Sequence, residues 1–407
     1  MLQKGRFTLT IWIFVGFFLG ILLGAVIGEP ALPFTEPLAD IFLRLLRMAI
    51  LPLIITSIIS SIIQVGSASG LGKMGMRTLA YYLSTSILAI FTGQVLVNIF
   101  RPGVGADIHL EENPDTIIAA ERSLGELFLN IIPENPIGAA ASGDVLPVIF
   151  FSILFGLFVT QLSADHRNLM GNFFKAAFEA MMKMVSFIIW TAPFGVFGII
   201  TGIVATSGFA PFRSLGFYFI IVLAGLSIHM FITLPLLLWS FGRVNPLKHY
   251  KGMLPALMTA FSTCSTIVTL PLTMKAVTKY SGASERAAGF VLPIGATVNM
   301  DGTALYECVA AIFIAQVYGF DLSLGAQLTV AVTAVLASIG AASVPMSGLV
   351  MMSIILSAVG LPLEGVAIIL AVDRILDMFR TTANVFSDSC GAVIISRFDS
   401  AGKNPAQ

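Results

Sequence analysis

The chain has 407 residues, of which 57% are hydrophobic and 11% charged, and its mean hydropathy is +0.94. Soluble domains are about a quarter charged, so the charges here are too few to cover a water-facing surface of this size, and a soluble globular protein is excluded. The 22 basic and 22 acidic side chains balance, so net charge points neither to nucleic acid nor to an anionic surface.

Lys4 and Arg6 precede an apolar run at about 7–27. It is longer than a signal-peptide core and long enough to cross about 30 Å of hydrocarbon, so it reads as a retained first span. Further apolar runs lie at about 38–65, 78–100, 145–162, 172–204, 212–241, 287–317 and 363–395, with interrupted ones at about 252–280 and 325–361. Between Pro102 and Asp144 the chain is polar and acidic and reads as an exterior loop. Lys4 and Arg6, Lys73 and Arg77, Arg167 and Lys175, and Arg243, Lys248 and Lys251 fall at alternate span ends. The positive-inside rule then places the amino terminus, and with it the carboxyl terminus, in the cytoplasm.

A single crossing at 252–280 would put Lys275, Lys279 and Arg286 outside, so this segment is expected to fold back. Its centre, Phe261-Ser262-Thr263-Cys264-Ser265-Thr266, lies between Pro255 and Pro271; such a stretch suits a hairpin tip buried in protein. The second interrupted run, centred on Ser338-Ile339-Gly340-Ala341-Ala342-Ser343-Val344-Pro345, also reads as two half-helices meeting at a tip. Each hairpin is followed by a span holding intramembrane polar groups. The unit therefore occurs twice, from opposite sides, as in the inverted repeats of secondary transporters. Small residues used only for tight helix packing are the alternative.

In the last span Asp373, Asp377, Arg380, Thr381, Asn384 and Asp388 form one polar stripe. Each such charge costs roughly 2.5–3.5 kcal/mol at the centre of a span, so the stripe requires an interior partner, a cavity or an ion. Arg380 offers a fork that fits a carboxylate, and Asp377 suits an ammonium group. Together they describe an amino acid with an acidic side chain. A self-neutralising Asp–Arg network that only fixes packing is the alternative. Asn299-Met300-Asp301-Gly302-Thr303 places a glycine among hydrogen-bonding residues, which lets the backbone open and present carbonyl oxygens to a hard cation. Asp301 and Asp388 have no obvious basic neighbour in sequence and read as Na⁺ ligands. Tyr82, Thr85 and Ser86 add hydroxyls at helical spacing, a triplet that helix packing alone would also explain. Glu307 stands in an apolar context that favours its neutral form, which makes it a candidate proton carrier; a permanently protonated side chain is the other reading. His109, His166, His229 and His249 are scattered and mostly near span ends, and none reads as a ligand. Cys264, Cys308 and Cys390 read as packing residues, with neither CxxC spacing nor a nearby His cluster.

Four separated motifs carry a resemblance over nearly the whole chain. They are Tyr81-Tyr82-Leu83-Ser84-Thr85-Ser86, Ala260-Phe261-Ser262-Thr263-Cys264-Ser265-Thr266, Asn299-Met300-Asp301-Gly302-Thr303 and Asp377-Met378-Phe379-Arg380-Thr381-Thr382-Ala383-Asn384-Val385. The chain resembles the dicarboxylate/amino acid:cation symporter family, which includes archaeal aspartate transporters and animal excitatory amino acid transporters. The resemblance implies an all-α polytopic membrane protein with eight transmembrane helices, two re-entrant helical hairpins and inverted repeats. It also implies a homotrimer with elevator-type movement, in the inner (plasma) membrane of a bacterium. Residues 1–75 and 145–210 would form the scaffold; 76–144 would hold transport-domain span 3 and the exterior loop, and 211–407 the transport-domain core.

By position, Asp377 resembles the residue holding the substrate amino group and Arg380 the one holding its side-chain carboxylate, with Thr303, Thr381 and Asn384 as further contacts. Ser265 and the backbone near Val344 and Gly348 would close from the hairpin tips. Asn299, Asn384, Asp388 and the Gly295 carbonyl resemble one Na⁺ site; Thr297, Met300, Ser338, Ile339 and Ala341 a second; Tyr82, Thr85, Ser86, Asn299 and Asp301 a third. Glu307 stands where the animal transporters have an acidic residue linked to proton cotransport and K⁺ countertransport, so both extend here as expectations. Cys264 replaces an arginine of archaeal members and Met378 one of animal members, which leaves Asp377 without that extra positive charge.

The expected function is Na⁺-coupled uptake of L-glutamate or L-aspartate, with no enzymatic cofactor and no nucleic-acid partner; membrane lipid surrounds it. Proton- or Na⁺-driven symport of dicarboxylates or neutral amino acids is the rival within the family. A dicarboxylate leaves Asp377 nothing to bind, and a neutral amino acid leaves Arg380 unpaired. An intramembrane aspartyl protease would need a Gly-x-Gly-Asp context, whereas Asp301 follows Val298-Asn299-Met300. An ion channel is a further class, distinguished by loose substrate stoichiometry.

Overall fold

A computed structural model describes residues 2–68, 73–106, 132–142, 144–340 and 347–399, and within these the regular structure is entirely helical. The first helices are α1 (Leu2–Val26), α2 (Leu32–Ala68), α3 (Lys73–Phe100), α4 (Pro136–Ser142), α5 (Val145–Thr160) and α6 (Ala164–Ser207). Then come α7 (Ala210–Ile228), α8 (Pro246–Thr263), α9 (Thr266–Ser281), α10 (Glu285–Val298) and α11 (Asp301–Val317). The last are α12 (Leu324–Gly340), α13 (Ser347–Ala358) and α14 (Gly365–Phe398). Among the described residues, five helical segments are long and apolar enough to cross a membrane: Glu29–Ile63, Lys73–Phe100, Ala164–Thr206, Phe212–Gly242 and Glu285–Val317. Of the acidic loop, 107–131 and 143 lie outside the described residues, and Pro136–Ser142 is a helix where the sequence reads as loop.

The helices overrun the apolar runs because polar turns at a span end stay helical. α6 has 44 residues, about 66 Å of helix, and its first turns carry Asp165, His166 and Arg167 ahead of the run that begins near 172.

One group of helices, α1, α2, α5 and α6, packs closely together. Gly16, Gly20 and Gly24 form a ladder on α1. A Cβ there would lie 2.3 Å from the Pro193 carbonyl oxygen, 2.9 Å from that of Phe197 and 2.8 Å from that of Thr201, respectively. Absent side chains let the two backbones touch, as small-residue helix pairs do in lipid. The partners ascend together, so α1 and α6 run parallel. On the other side of α6, Gly195 abuts Phe42 and Gly198 abuts the Thr35 carbonyl, so α2 runs antiparallel. These directions agree with the alternation of basic span ends.

A second group surrounds α11, every residue of which is buried. That explains why α11 is apolar on all sides apart from its functional groups. It packs on α3, α14, α12 and α7. α8 and α9 form a helical hairpin. Its tip is Cys264, in the left-handed conformation at φ 50, followed by Ser265, whose hydroxyl caps α9 by accepting from the Val268 N–H at 3.4 Å. At the base, Gly252 leaves room for Tyr280, and His249 bonds Ser281 at 2.6 Å and Ser389 of α14 at 2.9 Å. α12 and α13 also pack on each other and reach α2; the expected tip at 341–346, with Ala341 and Val344, lies outside the described residues.

α7 continues beyond Ile228 through a π turn, His229–Thr233, an α turn, Leu234–Leu237, and a second π turn, Leu238–Gly242. Pro235 has no N–H to offer the preceding turn, so the helix widens around it. Tyr250 of α8 donates to the Met230 carbonyl freed there and stacks on Phe386 of α14 at 4.2 Å.

Candidate functional site

Two buried polar clusters lie along α14. In the first, Arg380 is 1% exposed and its Nη2 lies 3.0 Å from Asp373 Oδ1 and 3.1 Å from Asp377 Oδ1. The guanidinium carbon sits 3.9 Å from the centre of the Tyr306 ring, a cation–π contact strengthened by the absence of competing water. Gly348 of α13 lies against the guanidinium: a Cβ there would be 2.5 Å from Nη1. Among the described residues, Arg380 Nε and Nη1 and Asp377 Oδ2 have no hydrogen-bond partner. The sequence reading assigns Arg380 and Asp377 to opposite ends of a ligand; the structure turns their near atoms toward each other and adds Asp373 on one side and Arg374, with Nη1 3.7 Å from Asp377 Oδ2, on the other.

Glu307 of α11 is fully buried, and no donor among the described residues reaches either of its oxygens. Thr303 and Thr381 are buried, and the Thr303 hydroxyl is 3.3 Å from Asn384 Nδ2. Asn384 Oδ1 in turn accepts from the Gly302 N–H at 2.8 Å. That N–H is free for a side chain because the backbone breaks between α10 and α11. Asn299 and Met300 stand at φ −102, ψ 91 and φ −119, ψ 59. The expected opening at the Asn299-Met300-Asp301-Gly302-Thr303 segment is therefore present.

The second cluster centres on Asp301, which is fully buried. Its Oδ1 accepts from Thr85 at 3.2 Å and Ser86 at 2.6 Å, both on α3. Its Oδ2 accepts from Ser387 at 2.5 Å and lies 3.2 Å from His229 Nε2. Asn299 Nδ2 bridges onward to Ser387 at 3.1 Å and Asp388 Oδ1 at 2.9 Å. Gly295 faces the same carboxylate: a Cβ on it would sit 2.4 Å from Asp388 Oδ1 and 2.7 Å from the Tyr82 hydroxyl. Tyr82 donates to the Val291 carbonyl at 2.6 Å. Oxygen-rich surroundings with buried carboxylates suit a hard cation, and a small monovalent ion would offset the negative charge that α14 and α11 bury in excess of Arg380.

The structure thus brings Tyr82, Thr85, Ser86, Gly295, Asn299, Asp301 and Asp388 into one neighbourhood, and Asp377, Arg380 and Gly348 into another. The remaining expected ion ligands are spread over the adjoining helix ends. Thr297 donates to Ile294 at 3.0 Å, Ser338 to Val335 at 2.8 Å, Met300 is buried, and Ile339 lies in the last turn of α12. Ser265 caps α9 at the hairpin tip, 7% exposed.

The sequence reading of the four histidines as scattered and mostly near span ends passes over a buried contact. His229 does not stand aside near a span end: it is fully buried against Asp301. The signal was its place in the middle of the 212–241 run, where a polar ring has no reason to be unless it has a partner. Ser387 was also missed, though it lies on the same face of α14 as Asn384, three residues earlier. Tyr306 could not be found, because its pairing with Arg380 spans 74 positions and two helices.

Residues 9–398 match the sodium:dicarboxylate symporter family. The chain is 37% identical to excitatory amino acid transporter 1 of Ambystoma tigrinum, over 88% of this chain and 76% of the relative. It is 34% identical to a proton/sodium-glutamate symport protein of Bacillus subtilis, over 100% of this chain and 96% of the relative. The corresponding protein of Bacillus caldotenax is 36% identical, over 95% and 93% of the two chains. These relatives are transporters and not enzymes, and the chain is a multi-pass membrane protein that belongs to the sodium:dicarboxylate symporter family.

Proposed function

We propose that this protein is a secondary active symporter that takes up L-glutamate and L-aspartate with Na⁺ and moves a proton through Glu307. The observation that carries the reading is the buried Arg380, tethered through Nη2 with Nε and Nη1 unpartnered among the described residues. A guanidinium held out of water with donors to spare is a receptor for a carboxylate. Asp377, whose Oδ1 accepts from Arg380 and whose Oδ2 has no hydrogen-bond partner among the described residues, with Arg374 Nη1 3.7 Å away, suits the substrate ammonium group, and Thr303, Thr381, Asn384 and the Gly348 backbone would complete the cradle. Asp301 and Asp388, with the hydroxyls and carbonyls around them, support Na⁺ as the driving ion. The glutamate symporters among the relatives agree with this substrate class.

Glu307, without donors among the described residues, is best accommodated as the neutral acid, and it would ionise when the site opens to water. The reading further includes eight spans and two re-entrant hairpins, both termini cytoplasmic, and a homotrimer in the inner membrane. Residues 1–75 and 145–210 would then be a fixed scaffold, against which 76–144 and 211–407 travel as an elevator. K⁺ countertransport is a further expectation; Cys264 and Met378 supply no arginine to Asp377, and Arg374, 3.7 Å from its Oδ2, is the added cation there.

The test is uptake of labelled glutamate, aspartate, succinate and alanine by proteoliposomes, with Na⁺, pH and K⁺ gradients imposed singly. Accumulation of the two acidic amino acids under an inward Na⁺ gradient is expected. Equal uptake of succinate, or uptake indifferent to Na⁺, would overturn the assignment.

A further inference from the structure

The two oxygens of Asp301 are held in different ways. On Oδ1 both donors are hydroxyls of α3, and hydroxyls rotate: Thr85 has the carbonyls of Tyr82 at 3.1 Å and Tyr81 at 3.2 Å as alternative acceptors for its proton. Its oxygen, like that of Ser86, can therefore turn lone pairs toward a cation. On Oδ2 the donors are committed. The Ser387 hydroxyl accepts from Asn299 at 3.1 Å and gives its one proton to Asp301 at 2.5 Å. The imidazole Nε2 of His229, 3.2 Å away, meets only a carboxylate oxygen, so it carries the proton, and Nδ1 has no partner among the described residues. An imidazole N–H cannot swing aside as a hydroxyl can. His229 is moreover set at the first residue of a π turn that Pro235 forces on α7, so its reach to Asp301 is built into the helix.

We propose that His229 is a positioning residue for the coupling cation: it anchors Asp301 Oδ2, so that Oδ1 stays turned to Thr85 and Ser86 as the oxygen that meets Na⁺. The proposal rests on the Na⁺-symport reading above and assigns a residue from a helix outside the expected ligand set. Loss of the anchor frees the carboxylate to rotate, and the site then has to order it at the moment of ion binding.

The experiment compares wild type, His229→Ala, His229→Leu and His229→Gln. One measurement, without substrate, is the Na⁺ dependence of the thermal unfolding midpoint of the purified protein. The other is the Na⁺ dependence of aspartate uptake in proteoliposomes. Half-saturating Na⁺ should rise about tenfold in both measurements for the Ala and Leu variants, the scale of one hydrogen bond to a charged group. The change in half-saturating Na⁺ should exceed any change in maximal uptake at saturating Na⁺. The Gln variant, which keeps an N–H donor, should stay within about threefold of wild type. A half-saturating Na⁺ that is the same in Ala, Leu and wild type would overturn the proposal. So would a Gln variant as impaired as Leu, since volume and not the donor would then be responsible. A wild type whose midpoint and uptake both ignore Na⁺ removes the symport reading itself, an outcome distinct from a Na⁺-responsive wild type with unresponsive variants.

Discussion

Where α1 and α2 meet α6, contact is made through missing side chains: glycines seat on carbonyls and rings, and helix position is decided by steric fit. Where α3, α11 and α14 meet, contact is made through carboxylates, hydroxyls and one guanidinium, and helix position is decided by polar satisfaction. The first kind of interface has one good arrangement and resists change. The second has spare donors and acceptors, which a ligand or ion can occupy. A molecule that must hold still in one place and exchange partners in another has use for both.

The contrast is broken most severely at Arg380. Arg380→Cys should abolish uptake of aspartate and glutamate and leave Asp373 buried without its cation and Asp377 with Arg374 alone; uptake of neutral amino acids is the gain to look for. Unchanged aspartate affinity in that variant would defeat the substrate assignment. Glu307→Gln fixes the group in its neutral shape. Net uptake should lose its pH dependence while substrate exchange persists, and proton flux per substrate measured with a pH-sensitive dye is the check. Gly16→Ala addresses the other interface. The added methyl meets the Pro193 carbonyl at 2.3 Å, so stability should fall by about 1–3 kcal/mol, seen as a lower unfolding midpoint with half-saturating Na⁺ unchanged in the folded fraction. The smallest effect is expected for Arg101→Ala. Its ion pair with Asp321 is half-exposed on one side and 83% exposed on the other, so stability should change by less than about 1 kcal/mol.

The helices were legible because a span must be apolar over its whole length, a signal few other structures give. The first hairpin was legible too, since five small polar or thiol residues flanked by prolines have no place facing lipid. The glycine ladder of α1 was not read from the sequence: its spacing of four fits many helices, and its partner carbonyls on α6 belong to the backbone and leave no mark in sequence. In the site, the stripe on α14 announced itself by charge, and the opening near Asn299 by its glycine. The pairing of Asp373 with Arg380 was obscured because one helix face offers several partners at three- and four-residue intervals, and sequence does not choose among them. His229 was passed over because its partner lies 72 positions away and its orientation depends on a π turn.

α14 runs without a break from Asp373 to Asp388, a stiff bar about 22 Å long. The residues proposed to meet the organic solute and one proposed to meet the ion are thus mounted on a single tie rod, which can pass a displacement along but not absorb it. Compliance has to come from the neighbours, at the unwound Asn299–Met300 step and the turn at Cys264. Inserting two glycines into the rod between Asn384 and Asp388 would put slack in the linkage, and leak of one cargo without the other is how such slack would be felt.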